Sequence, residues 1–162
     1  MFSIGIITAS DKGSRGERED LSGKAIAEML TGLGTVDHYV IVPDERAALS
    51  QAMIHMADTL GVDLILTTGG TGFGPRDVTP EATLEVIDRL APGIPEAMRA
   101  RSMAITSRAM LSRAVAGLRS RTLIINLPGS PKGVRECLEV VLPALEHGLA
   151  IAKGEAGECA RP

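Results

Sequence analysis

Residues 68–81, with the sequence TGGTGFGPRDVTPE, combine glycines, hydroxyls and charges in a pattern that suits phosphate binding. Four glycines in the six residues 69–74 permit backbone conformations that a β-carbon forbids, and they expose amide N–H groups to an anion. Thr79-Pro80-Glu81 is typical of a helix start, with Thr79 as the expected cap, and a helix N-terminus favours phosphate. No Walker lysine follows the glycines, and proline replaces the third glycine of a dinucleotide fingerprint. The segment is therefore predicted to be a functional loop that binds an anion.

Asp44 and Asp77 are the two carboxylates whose positions suggest metal-linked chemistry. Asp77 lies inside the glycine-rich loop, and Asp44 follows a neighbouring predicted strand. A carboxylate repels phosphate unless a divalent cation lies between them. The two are therefore expected to converge on one Mg²⁺ that also binds the phosphates of a nucleotide. Asp44 also occupies the expected N-cap position of the next helix. Asp77 has no expected structural role, because Thr79 already serves as a cap.

Three further segments carry groups that bind anions. Ser10 and Asp11 lie in residues 8–16, whose hydroxyls and amides suit a phosphate or a ribose, although a solvated loop has the same composition. Residues 126–132, NLPGSPK, deliver another helix N-terminus with a hydroxyl and a lysine nearby. An ordinary capped turn is the alternative there. Residues 99–113 contain four arginines and three serines, which form either a solvated face or a cradle for a terminal phosphate.

The elements that must position these loops alternate between strands and helices. β-Branched runs predict strands at 2–8, 36–42, 62–68, 114–118 and 121–127. Apolar residues at helical spacing predict helices at 21–33, 45–60, 79–90, 96–105 and from Pro131 onwards. This order predicts an α/β fold of three layers, α/β/α, with a mostly parallel sheet and an antiparallel edge strand. Ligands of such sheets bind beyond the carboxyl ends of the strands, so the informative residues are expected just after each strand.

Length and composition predict a single domain, residues 1–162, with a flexible tail at 154–162. The 17 basic and 20 acidic residues give a net charge of −3, which offers no electrostatic basis for binding nucleic acid or an anionic membrane. No apolar run reaches the roughly 18 residues of a membrane span. Cys137 and Cys159 are too few for a zinc cage or a disulfide framework. A cytoplasmic location is expected, and an aromatic content of 2% argues against a single-strand nucleic-acid groove.

The central segment 66–83 closely resembles the motif of molybdopterin adenylyltransferases. These are molybdenum-cofactor biosynthesis proteins related to the G domains of gephyrin and of plant cofactor-assembly proteins. The resemblance extends to Ser10-Asp11, to Pro43-Asp44-Glu45 and to residues 126–131, so that separate loops match in order from Ile4 to Lys153. It implies that a molybdopterin phosphate attacks the α-phosphorus of Mg-ATP, which releases pyrophosphate and leaves adenylyl-molybdopterin.

The resemblance also implies roles for individual residues. Asp44 and Asp77 match the family's two essential carboxylates, and both would bind Mg²⁺. Nucleotide binding is implied for Ser10, Asp11, Gly69, Gly70, Gly72, Asn126, Pro128 and Gly129, and binding of the molybdopterin phosphate for Thr71, Ser102 and Ser112. Similar proteins are homotrimers and work beside a molybdenum insertase. The residue chemistry agrees, because an anionic attacking phosphate needs positioning and charge neutralisation rather than a general base.

Other functions stay open at the level of sequence. A non-catalytic relative would bind the pterin or assemble without turnover, although the presence of both Asp44 and Asp77 argues against this. A flavodoxin-like FMN protein would use the loop after the first strand, yet the chain has few aromatic residues to flank a flavin. A scaffolding trimer without chemistry would not bind Mg-ATP. The metal delivered downstream is either molybdenum or tungsten.

Overall fold

The computed structural model describes residues 1–155, in which strands and helices alternate along the chain. The strands are β1 (Phe2–Ala9), β2 (Gly34–Val42), β3 (Leu64–Thr68), β4 (Arg89–Leu90), β5 (Ala116–Arg119) and β6 (Thr122–Leu127). The α-helices are α1 (Asp11–Ser14), α2 (Leu21–Met29), α3 (Arg46–Ile54), α4 (Thr79–Val86), α5 (Gly93–Met103) and α6 (Pro131–Lys153). A π-helical turn, His55–Thr59, extends α3, and a 3₁₀ turn, Ser107–Leu111, follows α5.

The strands form one sheet in the order β2-β1-β3-β6-β5-β4. β1 pairs in parallel with β2 and β3, and β3 pairs in parallel with β6. β5 runs antiparallel to β6, and β4 runs antiparallel to β5. The predicted α/β sheet, mostly parallel with an antiparallel edge, is confirmed. Its parallel half brings the carboxyl ends of β1, β2, β3 and β6 to one side of the molecule, because parallel strands all point the same way.

Helices cover both faces of the sheet, as expected for parallel strands whose residues are apolar on both sides. Ile4 and Ile6 of β1 pack in one core with α2, α5 and α6. Ile7 of the same strand packs in a second core with α3 and α4. Successive side chains of a strand point to opposite faces, which explains why one apolar run supplies both cores. The three-layer prediction is therefore confirmed.

The short edge strand β4 was not predicted, since its residues fall inside the helix expected at 79–90. α4 ends at Val86, and the following chain is extended against β5: the Asp88 amide donates to the Leu118 carbonyl at 2.7 Å. Gly117 permits this approach, because a β-carbon there would lie 2.6 Å from the Arg89 carbonyl oxygen. A two-residue strand has no periodicity of its own, so its pairing depends on a neighbour that is distant in sequence.

The C-terminal helix begins where the sequence predicts, with the Ser130 hydroxyl accepting the Gly133 amide at 3.0 Å. It ends at Lys153, and the following Gly154 has a left-handed φ of 77°, a conformation that glycine adopts without a β-carbon clash. Residues 156–162, which include Cys159 and most of the predicted flexible tail, lie outside the described residues. Within residues 1–155, no helix has the length and apolar character that crossing a bilayer requires.

Candidate active site

The loops after β1, β2, β3 and β6 enclose a cavity of about 610 Å³ at the carboxyl edge of the sheet. Ser10, Asp44, Gly69, Gly70, Asp77 and Gly129, all predicted site residues, line it. Its charged lining consists of Arg18 and four acids, Glu19, Asp20, Asp44 and Asp77, and we call it the acidic cavity. The loops that the edge-of-sheet rule selects therefore line one cavity, which the two carboxylates predicted to be catalytic share.

A second cavity, of about 320 Å³, contains the three residues for which the resemblance implies phosphate binding. Thr71 comes from the glycine-rich loop, Ser102 from α5, and Ser112 from the segment after the 3₁₀ turn. We call this the hydroxyl cavity. Ser130 lines both cavities, and the glycine-rich loop passes from the acidic cavity at Gly70 to the hydroxyl cavity at Thr71. The two cavities are therefore neighbours along a shared wall.

Asp44 is held by a reciprocal pair of hydrogen bonds with Asp11. The Asp11 amide donates to Asp44 Oδ2 at 2.9 Å, and the Asp44 amide donates to Asp11 Oδ1 at 3.0 Å. The expectation that Asp44 caps the next helix is wrong: Glu45 precedes α3, and no side chain caps it. Because its carboxylate is directed at the loop after β1 instead, Asp44 fixes the loops of two adjacent strands to each other.

The surroundings of Asp44 disfavour the ionised form of its carboxyl group. Burial raises the pKa of the Asp44 carboxyl above its ordinary value; the hydrogen bond from the Asp11 amide opposes the rise, and the negative charges of Asp11 and Asp77 add to it. Arg76 lies close enough to offset part of this effect, yet its guanidinium is bound to both oxygens of Asp11, each at 2.9 Å. A cation between Asp44 and Asp77 would relieve the repulsion that remains.

Asp77 organises the glycine-rich loop, contrary to the expectation that it has no structural role. Its Oδ2 accepts the Gly74 amide at 2.8 Å. A β-carbon at Gly72 or Gly74 would lie only 2.9 or 2.8 Å from the same oxygen. A β-carbon at either position would therefore displace this carboxylate from the place that it occupies.

Thr79 is the first residue of α4 and not its cap, which corrects the sequence-based expectation. Its hydroxyl donates to the Gly69 carbonyl at 2.9 Å. Gly69 and Gly70 have φ angles of 91° and 69°, in the left-handed region that favours glycine. The neighbouring Thr68 hydroxyl donates to the Pro128 carbonyl at 2.7 Å, so the loops after β3 and β6 are joined at the floor of the site.

Four residues predicted to bind the nucleotide lie elsewhere. Asn126 is fully buried: its amide donates to Thr67 and Thr83, and its oxygen accepts the Val115 amide. Its side chain is thus unavailable to a nucleotide, and its role is to hold β6 to its neighbours. Asp11 does not line the acidic cavity, because its carboxylate is bound by Arg76 and by the Asp44 amide. Gly72 and Pro128 line the hydroxyl cavity instead.

Several residues that line the cavities were not singled out from the sequence. Arg18, Asp20 and Ser22 reach the acidic cavity from the loop before α2 and its first turn. Asp20 caps that helix through the Gly23 amide, at 2.9 Å, which was the one local signal available. Of the arginine-rich region, Arg99 and Arg108 line the hydroxyl cavity, which favours the cradle over the solvated face at these two positions. Cys137 also lines it, and burial raises the pKa of its thiol.

Comparison with known protein families bears directly on this pair of cavities. A protein-family model described as a probable molybdopterin binding domain matches residues 5–147. The chain belongs to this family. The matched range includes every element from within β1 to most of α6 and all loops of both cavities. The family resemblance inferred from the four loop motifs is therefore confirmed.

Relatives in this molybdopterin-binding family match over most of their length. Molybdopterin adenylyltransferase of Helicobacter pylori J99 is 49% identical over 154 residues, 93% of this chain and 88% of the relative. Molybdopterin adenylyltransferase of Escherichia coli K12 is 43% identical, over 90% of this chain and 78% of the relative. The crystal structure of the molybdopterin biosynthesis enzyme MoaB from Thermus thermophilus matches with a TM-score of 0.90 and 54% identity, over 98% of this chain and 100% of that one.

Proposed function

We propose that this chain transfers the adenylyl group of Mg-ATP to molybdopterin, giving adenylyl-molybdopterin and pyrophosphate in molybdenum cofactor biosynthesis. The observation that carries the proposal is the shared wall between the two cavities at Ser130 and the glycine-rich loop. An acidic cavity large enough for a nucleotide lies on one side, and a cavity lined by Thr71, Ser102 and Ser112 lies on the other. The names of the relatives support the same activity.

The transfer depends on positioning, because the attacking group is already an anion. The terminal phosphate of molybdopterin would accept hydrogen bonds from Thr71, Ser102 and Ser112 in the hydroxyl cavity. One of its oxygens forms a bond to the α-phosphorus of ATP, the bond from that phosphorus to the β-phosphate bridge breaks, and pyrophosphate leaves with the electron pair. Amides of the glycine-rich loop and the hydroxyl of Ser10 would bind nucleotide oxygens in the acidic cavity. Holding both reactants in line accounts for most of the acceleration expected of such a site.

The donor set of the acidic cavity fits Mg²⁺. Residues 1–155 contain no group of three or more His, Cys, Asp or Glu side chains that could hold a metal. Mg²⁺ needs no such cage, since it is usually bound by one or two carboxylates together with substrate phosphates and water. Asp44 and Asp77 each use Oδ2 for a backbone amide, which leaves the two Oδ1 atoms for the cation. Bound there, Mg²⁺ supplies charge neutralisation that lets triphosphate approach a negative wall.

Calorimetric titration with ATP, with and without Mg²⁺, tests nucleotide binding, and pyrophosphate release in the presence of molybdopterin tests transfer. The expected result is Mg²⁺-dependent binding and release of one pyrophosphate per adenylyl group transferred. Binding of molybdopterin without pyrophosphate release would instead indicate a non-catalytic pterin-binding relative. Absence of Mg-ATP binding would indicate a scaffolding protein.

The family resemblance also supports proposals about assembly and location. We expect a homotrimer that acts in the cytoplasm and passes its product to a molybdenum insertase. Sedimentation velocity of the purified chain measures the oligomer directly, and a mass three times the 17.0 kDa of one chain is the expected value.

A further inference from the structure

Arg113 binds the glycine-rich loop at three points, although it lines neither cavity. Its backbone amide donates to the Thr71 carbonyl at 2.9 Å. Its side chain donates through Nε to the Gly72 carbonyl at 2.8 Å and through Nη2 to the Asp77 carbonyl at 2.6 Å. The remaining Nη1 forms an ion pair with Glu81 in the first turn of α4. One side chain thus fixes both ends of the loop segment that carries the Asp77 carboxylate.

The backbone of Arg113 is itself held by the wall of the hydroxyl cavity. Arg99 of α5 donates through Nη1 to the carbonyls of Ser112 and Ala114, at 3.3 and 2.9 Å. These two residues flank Arg113 and line the hydroxyl cavity together with Arg99. A continuous path of hydrogen bonds therefore leads from α5 through residues 112–114 to Asp77 in the acidic cavity.

We propose that Arg113 is a positioning residue that holds the Asp77 carboxylate at a fixed distance and orientation relative to the hydroxyl cavity. The inference rests on the proposed adenylyl transfer, in which a group bound in one cavity reacts with a group bound in the other. A guanidinium suits this task because its planar fork presents five N–H donors in fixed directions, whereas an ammonium offers three donors on a flexible stem. Lysine at this position could not reach both loop carbonyls and Glu81 in the same geometry.

Glu81 orients the guanidinium and depends on it in return. The bond from Arg113 lowers the pKa of the Glu81 carboxyl. Its other oxygen, Oε2, is buried and is the one buried side-chain polar atom without a hydrogen-bond partner in the part of the chain described. Arg113 is therefore the main partner of this carboxylate, and Glu81→Gln would remove the charge that orients the guanidinium and so weaken its two bonds to the loop carbonyls.

Arg113→Lys tests the role, with Arg135→Lys as the matched control. Arg135 pairs with Glu28 on the surface of α6 and lines neither cavity. Arg113→Lys is expected to reduce kcat/KM for adenylyl transfer about 100-fold, the cost of misplacing a reacting group by roughly 1 Å. It is also expected to speed hydrogen exchange of the amides of residues 71–77 and to weaken Mg-ATP binding about tenfold. Arg135→Lys should change none of these quantities.

A double-mutant cycle separates positioning from a general structural effect. If Arg113 acts through Asp77, Arg113→Lys weakens Mg-ATP binding in the wild-type background and has no further effect in an Asp77→Asn background. Equal weakening in both backgrounds, or unchanged exchange of the loop amides, would overturn the inference. An Arg113→Lys protein that does not fold is replaced by Glu81→Gln, where faster exchange of the same amides supports the inference and wild-type exchange refutes it.

The exchange and binding measurements do not require turnover. A wild-type protein that releases no pyrophosphate contradicts the proposed function. Amide exchange and the double-mutant cycle measured by Mg-ATP binding still decide the role of Arg113. Conversely, an active wild type with an equally active Arg113→Lys variant leaves the proposed function intact and removes the positioning role.

Discussion

Replacing Asp44 by asparagine or by alanine distinguishes the charge of its carboxylate from its hydrogen bond. Asp44→Ala removes the acceptor of the Asp11 amide, a bond of 2.9 Å at a half-buried position. Losing one such bond costs about 1 kcal/mol, which lowers the Tm of a domain of this size by roughly 2–4 °C. Asp44→Asn keeps an acceptor oxygen at the same place, so its free energy of unfolding should change by less than about 0.5 kcal/mol from this cause.

The difference in stability between Asp44→Asn and the wild type is expected to depend on pH. The pKa of Asp44 is raised in the folded protein, chiefly by burial, so the stability that it contributes is present below the unfolded pKa of about 4 and is lost as pH rises through the folded pKa. At pH 7 the ionised carboxylate therefore opposes folding. Asparagine carries no charge, so we expect Asp44→Asn to be at least as stable as the wild type at pH 7, with the difference shrinking as the pH approaches 4.

Although Asp44→Asn is expected to keep its stability, both Asp44 variants are expected to lose adenylyl-transfer activity. Both Asp44 variants lose one of the two carboxylates proposed to bind Mg²⁺, so adenylyl transfer is expected to fall on the order of 100-fold or more. Thermal unfolding at pH 7 and pH 4.5, calorimetry with Mg-ATP and pyrophosphate release measure the three effects separately. Glu139→Gln is the matched control, because it removes an exposed carboxylate that lines neither cavity.

Two results would refute this reasoning at different points. Wild-type turnover by Asp44→Asn would remove Asp44 from the metal site. An Asp44→Ala protein that unfolds at the same temperature as Asp44→Asn would show that the hydrogen bond from the Asp11 amide contributes nothing to stability.

Three further changes test the remaining structural claims. Asp77→Asn keeps an acceptor for the Gly74 amide, so we expect the wild-type Tm with Mg-ATP affinity reduced about tenfold or more by calorimetry; undiminished affinity would contradict a metal role. Gly74→Ala places a β-carbon 2.8 Å from Asp77 Oδ2 and should reduce turnover by displacing that carboxylate. The control Gly148→Ala, which has open space at its β-carbon, should stabilise α6 by about 0.5–1 kcal/mol. Equal turnover of the two variants would show that the β-carbon at residue 74 does not displace Asp77. Asn126→Ala should lower the free energy of unfolding in urea by about 3 kcal/mol, because it leaves buried hydrogen-bond partners unpaired. The folded fraction should bind Mg-ATP with wild-type affinity; weaker binding would indicate that Asn126 belongs to the nucleotide site after all.

The layers of the fold and the position of the candidate cavity were predictable from the sequence. β-Branched runs with intervening helical spacing specify a parallel sheet, and the rule that ligands bind beyond the carboxyl ends of its strands selects the loops that hold Asp44 and Asp77. The glycine-rich loop was recognisable because several glycines beside hydroxyls and a helix start exceed what a turn requires. These signals are local or periodic, so they survive without knowledge of any long-range contact.

The partners of the individual side chains were decided by tertiary structure. Asp44 and Thr79 both occupy positions where the local sequence predicts a helix cap. Asp44 instead accepts the Asp11 amide, and Thr79 donates to the Gly69 carbonyl. Arg113 lies 36 residues from Asp77 along the chain and nevertheless holds its carbonyl. Sequence patterns determined which of the longer elements form, because those depend on neighbours a few residues away. The choice among competing hydrogen-bond acceptors was made only when packing brought distant backbone groups within bonding distance.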